Sequence, residues 1–340
     1  IEAAFLEGRI PTPMFIEWPD GMVEMGFISP EEKETHCIKL VGGMYGNVDA
    51  ALRFFQEYKR HLVNPKGMNM MQSKIDPCVF MKIRDNALQL IAMVHVDDTA
   101  LYGPKHEIEW YKRGVSQRFK YTDEGMLKKH LGVWYEWSKD ADGEPCIIAR
   151  MPMLVDEIIK SSEQCYEAEI SGYATPGTPN HSLSKNEGEP VDPEMYRSIV
   201  GKAMYLCTKI WIEGSNIVRE LTRHFSNPGE EHWKEVFRMA GYLKSHKEDI
   251  KLVYRRPMEM RPAAEVDGAY ATSKIDRRSV SGAIFTIGGT IVNAYSKTQP
   301  IVTLSTTEME FVALAPAVQE IIFELMLLDE WKEAQRPALI

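Results

Sequence analysis

The sequence is short of the features that announce many common activities. Its five cysteines, Cys37, Cys78, Cys146, Cys165 and Cys207, lie far apart, and none stands in a Cys-x-x-Cys pair. A zinc ribbon or disulfide framework is therefore not expected, and a reducing compartment is. No Gly-x-x-x-x-Gly-Lys-Ser phosphate loop occurs, which argues against nucleotide hydrolysis of that kind. Uninterrupted apolar runs fall far short of the ~18 residues a membrane span needs, so no membrane partner is expected. No repeat of fixed period is visible. The chain starts at Ile1, with neither Met nor a signal peptide, and ends in Pro-Ala-Leu-Ile; it reads as a fragment of something longer. Positive charge is also in deficit: Lys and Arg number 40 against 49 Asp and Glu, a net charge of -9. That balance disfavours a protein whose main task is coating nucleic acid.

What is present is globular. Apolar residues make up 44% and charged residues 26% of 340, enough for two or three ordinary domains and unlike a disordered chain. Charge is unevenly spread. Residues 1–50 carry 3 basic and 9 acidic side chains, whereas residues 51–150 carry 16 basic and 13 acidic ones. The middle segment could face phosphate; a solvated surface of mixed charge accounts for the same numbers.

Patterning gives an outline. Residues 1–35, rich in Pro, Gly and Glu, read as turns and short strands. Residues 50–62 read as a helix, with Ala51, Phe54, Phe55, Tyr58 and Leu62 at helical spacing. Strands follow at 78–83 and 87–96 about an Asp85-Asn86 turn, then at 99–102. A helix over 110–119 precedes a strand pair, 131–137 with 146–149. Residues 174–193 hold Pro176, Pro179, Pro190 and Pro193 and read as a linker. Helices are predicted over 194–225 and 230–246, separated by Asn227-Pro228-Gly229. A strand over 264–271 and a hairpin of 280–287 with 290–295 about Gly288-Gly289 come next. Ser305-Thr306-Thr307-Glu308 spells a capping box that opens a helix to about Trp331, which Pro316 should kink.

The informative chemistry lies in Met93-Val94-His95-Val96-Asp97-Asp98. Turns often carry Asp, so an isolated Asp-Asp commonly does no more than end a strand. At the tip of a rigid hairpin, however, two like charges repel, and a divalent cation relieves them. Hard oxygen ligands with room for waters and phosphate suit Mg²⁺, and paired ions suit in-line phosphoryl transfer.

The stretch resembles the Tyr-x-Asp-Asp hairpin of reverse transcriptases. More narrowly, the chain resembles the polymerase and ribonuclease H part of copia-type retrotransposon Pol polyproteins. The matching segments occur in the family's order. They include Ala4-Phe5-Leu6-Glu7-Gly8, Met44-Tyr45-Gly46, Asp76-Pro77-Cys78-Val79-Phe80 and His95-Val96-Asp97-Asp98. Leu131-Gly132, Thr175-Pro176, Tyr196-Arg197-Ser198-Ile199-Val200-Gly201, His232-Trp233 and Tyr242-Leu243-Lys244 follow. Asp276-Arg277-Arg278-Ser279-Val280-Ser281-Gly282, Ser296-Lys297-Thr298-Gln299 and Leu304-Ser305-Thr306-Thr307-Glu308-Met309-Glu310-Phe311 complete the set. Each is weak alone; their ordered sum over nearly the whole chain is specific.

The resemblance implies an α+β fold: a reverse-transcriptase palm and fingers remnant with antiparallel sheet and helices over 1–150, a helical thumb or connection region over 151–260, and a partial ribonuclease H-like α/β domain over 261–340. It implies RNA-directed DNA polymerase activity with Asp97 and Asp98 as metal-binding catalytic carboxylates, and hybrid ribonuclease activity with Asp267 and Glu310 in the same role. The cofactor would be Mg²⁺, with Mn²⁺ as a substitute. His95, Arg53, Lys59, Arg277 and Arg278 would contact nucleic acid. Partners would be an RNA template, a DNA primer, the RNA·DNA hybrid and deoxynucleotides; location would be a cytoplasmic virus-like particle, the nucleus or both. The family's third palm Asp stands immediately before the segment matching Ile1–Phe5, and Glu2 does not take its place but is expected as a solvated strand residue. A further ribonuclease H Asp would follow Ile340. The chain as given is therefore expected to be inactive alone, and a catalytically dead hybrid-binding remnant is the alternative.

Departures from the family point the same way. His95 replaces Tyr near the primer end. Asn47-Val48-Asp49-Ala50-Ala51 replaces Leu-Lys-Gln-Ala-Pro, so Asp49 is expected to repel phosphate. Lys209-Ile210-Trp211-Ile212-Glu213-Gly214 replaces the usual run after Leu206, and Ala269 stands where a second acid is usual. Asn180-His181-Ser182 matches a glycosylation sequon, a chance match in a reducing compartment.

Overall fold

The computed structural model describes every residue except Ala3, Tyr45, Asn180, Met258, residues 334–337 and Ile340, and omits the side chains of Phe5 and residues 9–12. The central Tyr45 of Met44-Tyr45-Gly46 and the Asn180 of the sequon thus lie outside the described residues. The fold is α+β, mixing helices with antiparallel sheets. Two compact units form: Ile1–Gly125 with Glu330–Lys332, and Met126–Asp329 with Glu333–Ile340.

The first unit runs α1 (Ala4–Glu7), β1 (Arg9–Ile16), α2 (Pro30–Thr35), β2 (Ile38–Gly42), α3 (Ala50–Val63), β3 (Met71–Gln72), β4 (Val79–Arg84), β5 (Ala87–His95), β6 (Asp98–Tyr102) and α4 (Lys105–Ser116). Strands β1 and β2 pair as an antiparallel ribbon; β3-β4-β5-β6 form an antiparallel sheet in that order. The helical spacing of 50–62 is realised in α3, whose Phe54, Tyr58 and Leu62 are fully buried. They join Phe80, Leu90, Ala92 and Val94 of the sheet and Tyr111 and Val115 of α4 in one core. Asp85 and Asn86 both have positive φ, 51° and 58°, the backbone that two-residue hairpin turns require. Helix α4 begins at 105 rather than 110 and ends before Phe119. The aromatic spacing locates its buried face but not its start, which Pro104 sets at the cap. Residues 30–35 are helical because Ser29 caps them: its hydroxyl accepts from the Glu32 N–H, and the Glu32 carboxylate accepts from the Ser29 N–H.

The second unit adds β7 (Lys129–His130), β8 (Val133–Lys139), β9 (Pro145–Arg150), α5 (Pro152–Tyr166), α6 (Pro193–Cys207), a 3₁₀ turn (Ile212–Gly214), α7 (Ser215–Thr222), α8 (Glu230–Ser245), β10 (Leu252–Arg255), β11 (Pro262–Ala269), β12 (Val280–Ile287), β13 (Thr290–Thr298) and α9 (Thr306–Trp331). One antiparallel sheet has the order β10-β9-β8-β7 and a second the order β11-β12-β13. Helices α5 to α8 share a core that includes Ile158, Tyr196, Val200, Leu206, Trp211, Val236 and Leu243. The continuous helix expected over 194–225 is broken between α6 and α7. The 3₁₀ turn between them is tightly packed: a Cβ on Gly214 would lie 2.4 Å from the buried Trp211 ring, a place where only glycine fits.

The expected linker 174–193 forms no helix or strand among its described residues before Pro193, where α6 begins, yet it is anchored along its length. The Thr178 N–H donates to the Glu235 carboxylate at 3.0 Å and the Leu183 N–H to Glu220 at 3.2 Å. His232 Nε2 bonds the Ser184 carbonyl at 2.8 Å, and Trp233 Nε1 donates to that of Val191 at 2.6 Å. His224 stacks on His232, with ring centroids 3.7 Å apart. Burial, then the neighbouring imidazole, pushes His224 down to about 4.

Helix α9 opens at the predicted cap, where the Glu308 N–H donates to Ser305 Oγ at 3.1 Å, but the Glu308 carboxylate accepts from the N–H of Leu304 at 2.7 Å, one residue before the cap. The helix continues through Pro316. Its 26 residues include an 18-residue window of mean hydropathy 1.9, long and apolar enough by composition to cross a membrane; the count of uninterrupted apolar runs missed this. In the fold, Ala317 and Ile321 bury against Ala264, Ala283 and Phe285 of the sheet. Glu324, on the same buried face, has no partner for Oε2 among the described residues. Burial, reinforced by Glu320, raises its carboxyl to about 7.

Two stability predictions follow from this packing. Gly214→Ala should lower the denaturation free energy by about 1–3 kcal/mol. Gly201→Ala, in α6 with nothing within 4 Å of the added methyl, should raise it by roughly 0.5–1 kcal/mol; equal effects in urea titrations would contradict the packing account. The folded state keeps a proton on Glu324 that the unfolded chain releases between the ordinary 4.5 and about 7, so stability falls as pH rises through that window. Glu324→Gln should therefore raise the unfolding temperature at pH 8 and leave it unchanged at pH 4. A shift of equal size at both would contradict the assignment.

Candidate functional site

Asp97 and Asp98 stand where the β5–β6 register places them. His95 pairs with Asp98 across the hairpin, leaving Val96 and Asp97 as a two-residue turn. Val96 has φ +53°, a strained conformation for a β-branched residue at a position where glycine is common. Such strain persists only where neighbouring structure enforces it; here buried Val94 and paired Thr99 lie just behind the turn. His95, Val96, Asp97 and Asp98 are all exposed. The backbone nitrogen of Ile1 donates to the Asp97 carbonyl, which brings residue 1 against the turn. Glu2 lies in a turn rather than the expected strand; it is exposed and accepts from the Thr122 hydroxyl at 3.3 Å.

Arg53 and Lys59 both stand on α3, on positions between its buried residues. The Arg53 guanidinium is engaged by Asp49, with Nε donating to Oδ2 at 2.6 Å. The Asp49 charge expected to repel phosphate is thus neutralised locally by the cation expected to attract it. Arg277 and Arg278 are exposed in the loop between β11 and β12, with Arg277 at φ +60°. Arg278 Nε lies 3.7 Å from Asp276, which Arg223 also approaches at 3.5 Å. A hydrogen bond from Ser273 above all, then one from the Arg278 backbone N–H and the charge of these guanidinium groups, hold the Asp276 carboxyl below its usual range.

Near the second acid pair, the Met309 side chain seats on the strand at Gly268. Asp267 and Gly268 lie on β11, opposite Gly282 and Ser281 of β12. A Cβ on Gly268 would fall 1.8 Å from Met309 Sδ, so the helix start presses on the strand where there is no side chain. Asp267 precedes Gly268 and Glu310 follows Met309; both are exposed. Gln299 supports the contact. Its Nε2 donates to Ser281 Oγ and to the Met309 carbonyl, each at 2.9 Å. Sequence reasoning passed over Gln299 and Gly268, although both sit inside or beside motif segments. A cleft of about 600 Å³ begins at Ala269, two residues past Asp267. Its cations Arg219, Arg223 and Lys274 are matched by Glu213, Glu220 and Glu235, and its carboxylates Glu220 and Glu235 already bind the 174–193 segment.

These acids suit a hard divalent cation in type and exposure. Among the described residues no Lys, Arg or His forms an ion pair with Asp97, Asp98, Asp267 or Glu310. Mg²⁺ is commonly held by one or two carboxylates, with waters and phosphate completing its shell. The described residues contain no group of three or more His, Cys, Asp or Glu arranged to hold a metal, so neither pair by itself would complete a metal's shell.

No protein-family model matches the chain. The retrovirus-related Pol polyprotein from transposon TNT 1-94 of Nicotiana tabacum is 27% identical over 343 residues, covering 97% of this chain and 24% of that protein. The corresponding polyprotein from transposon RE2 of Arabidopsis thaliana is 24% identical over 345 residues, 97% of this chain and 21% of its own length. Secreted RxLR effector protein 161 of Plasmopara viticola is 34% identical over 128 residues, 38% of this chain and 89% of that protein; across the matched stretch the two belong to one family. The chain spans between a fifth and a quarter of the polyproteins it matches. Motifs in the family's order and similarity over 97% of the sequence agree: the chain belongs to the copia-type retrovirus-related Pol polyproteins, as a segment of one.

Proposed function

We propose that this segment carries the polymerase palm and a ribonuclease H-like module of a copia-type reverse transcriptase, with Asp97 and Asp98 serving the first and Asp267 and Glu310 the second. The observation that carries the reading is the state of the two acid pairs. Each is exposed and free of a cationic partner among the described residues, at a backbone position fixed by neighbouring contacts. Topology supports the second half. The antiparallel order β11-β12-β13 leaves the other edge of β11 open, and after α9 residue 339 bridges Ala263 in parallel on that edge. A three-stranded meander, a crossover helix and a parallel return to the first strand are what a ribonuclease H-like sheet requires. For the first half, the family's palm Asp stands immediately before the residue matching Ile1, whose nitrogen bonds the Asp97 carbonyl; that acid would be delivered beside the hairpin.

Bound divalent cations would supply neutralisation of charge at the attacking and leaving oxygens. The residues of the chain supply placement. The turn at 96–97 would hold Asp97 and Asp98 facing the primer 3′-hydroxyl and the α-phosphate of the incoming deoxynucleotide. His95, at the strand end, would border the primer terminus. Asp267 and Glu310 would flank the scissile phosphodiester of the RNA strand in a hybrid. Arg277, Arg278, Lys59 and Arg53 would contact phosphates, the last only on release from Asp49.

One observation favours the alternative, a hybrid-binding remnant without turnover: the described residues hold no three-acid cluster. Primer extension and hybrid cleavage with Mg²⁺ separate the two, in a polyprotein segment carrying the family's flanking acids. Asp97→Asn should reduce extension at least ~100-fold and spare cleavage, while Asp267→Asn should do the reverse. Extension and cleavage unchanged by either substitution would sink the proposal. Hybrid affinity that falls steeply with salt, without turnover in any variant, would establish the remnant.

A further inference from the structure

Gln299 bonds both the sheet beside the strand of Asp267 and the start of the helix that carries Glu310. It is 1% exposed, and its backbone N–H donates to the Ser279 carbonyl at 2.8 Å. Both hydrogens of its side-chain amide are used. One goes to Ser281 Oγ, on the residue directly opposite Gly268, and the other to the carbonyl of Met309, which fills the space over Gly268. A single planar amide therefore spans from the sheet beside Asp267 to the helix residue preceding Glu310. Its own Oε1 is buried and meets no donor among the described residues. An apolar side chain of similar size would fill the same volume without burying an unpaired carbonyl, so packing alone does not account for an amide here.

We propose that Gln299 is a positioning residue: through Ser281 and Met309 it sets the separation of the Asp267 and Glu310 carboxylates, and with it the affinity of that pair for a divalent cation. The proposal rests on the reading of Asp267 and Glu310 as a metal pair. Hydrogen-bond partners that orient metal ligands commonly change affinity by about 10–100-fold when removed. Gln299 acts one step further away, through backbone, so the lower end of that range is expected.

The test is Mn²⁺ binding, read from the electron paramagnetic resonance of the free ion. The whole chain is used with Asp97→Asn and Asp98→Asn in place, so that only the second pair reports. Thermal unfolding is followed in parallel. Gln299→Met keeps the volume and removes the donors; it should weaken Mn²⁺ binding about tenfold while leaving the unfolding temperature within a few degrees of the parent. Ser281→Ala, which releases the amide from the sheet but leaves it buried, should weaken binding in the same direction and keeps the test open if Gln299→Met fails to fold. Unchanged Mn²⁺ affinity in a folded variant would overturn the positioning role while the metal pair stands. Absence of binding in the parent, or binding that Asp267→Asn leaves intact, would overturn the metal pair and the positioning role together.

Discussion

The second candidate site depends on one close approach, that of a helix to a strand. At residue 268 the Met309 sulfur occupies the place a Cβ would take, so the methionine side chain seats on the strand only because that residue has none. Gly268 lies under the helix start, and Asp267, one residue away, is not buried. The cap at Ser305 and the amide of Gln299 fix the helix in register, so that Glu310 emerges next to the contact. The hairpin at 95–98 solves the same problem with a different device. A two-residue turn with a strained Val96 holds two acids at its tip.

Buried polar groups elsewhere serve a similar end. The segment 174–193 has the composition of a free linker, but Glu220, Glu235, His232 and Trp233 bind its backbone at successive points. A buried carboxylate that accepts several N–H and O–H groups is well satisfied, and removing it would leave those donors unpaired. The segment is thereby part of the packed unit, and its course along α7 and α8 is set by chemistry that its own sequence does not display.

This explains what could be read in advance. Hairpins whose turns need positive φ announced themselves through Asp85-Asn86 and Gly288-Gly289, α3 through its aromatic spacing, and α9 through its capping box. Local rules decide these elements, so sequence suffices. Helix α5 was passed over because Met151-Pro152 follows a strand directly, without a polar break. The interruption between α6 and α7 was invisible because no Pro or Gly marks the end of α6 at Cys207; the Trp211–Gly214 packing in the turn that follows shows only in three dimensions. The acidic residues of both sites were legible only through the order of motifs; each alone has the look of an ordinary turn or helix-face residue. Nothing in a loop glutamine signals that it bridges a sheet and a helix. The pairing of Arg53 with Asp49 shows the converse, a cation read as open to phosphate that its own helix turn already holds.

The central claim is that two separate acid pairs gather divalent cations for work on a nucleic-acid strand. Anomalous diffraction from crystals of this chain grown in Mn²⁺ tests it most directly. The account predicts density beside the 97–98 carboxylates and between those of Asp267 and Glu310, each lost when its acids are changed to amides. Ordered ions bound only elsewhere, or carboxylates of Asp267 and Glu310 too far apart to share one, would contradict it.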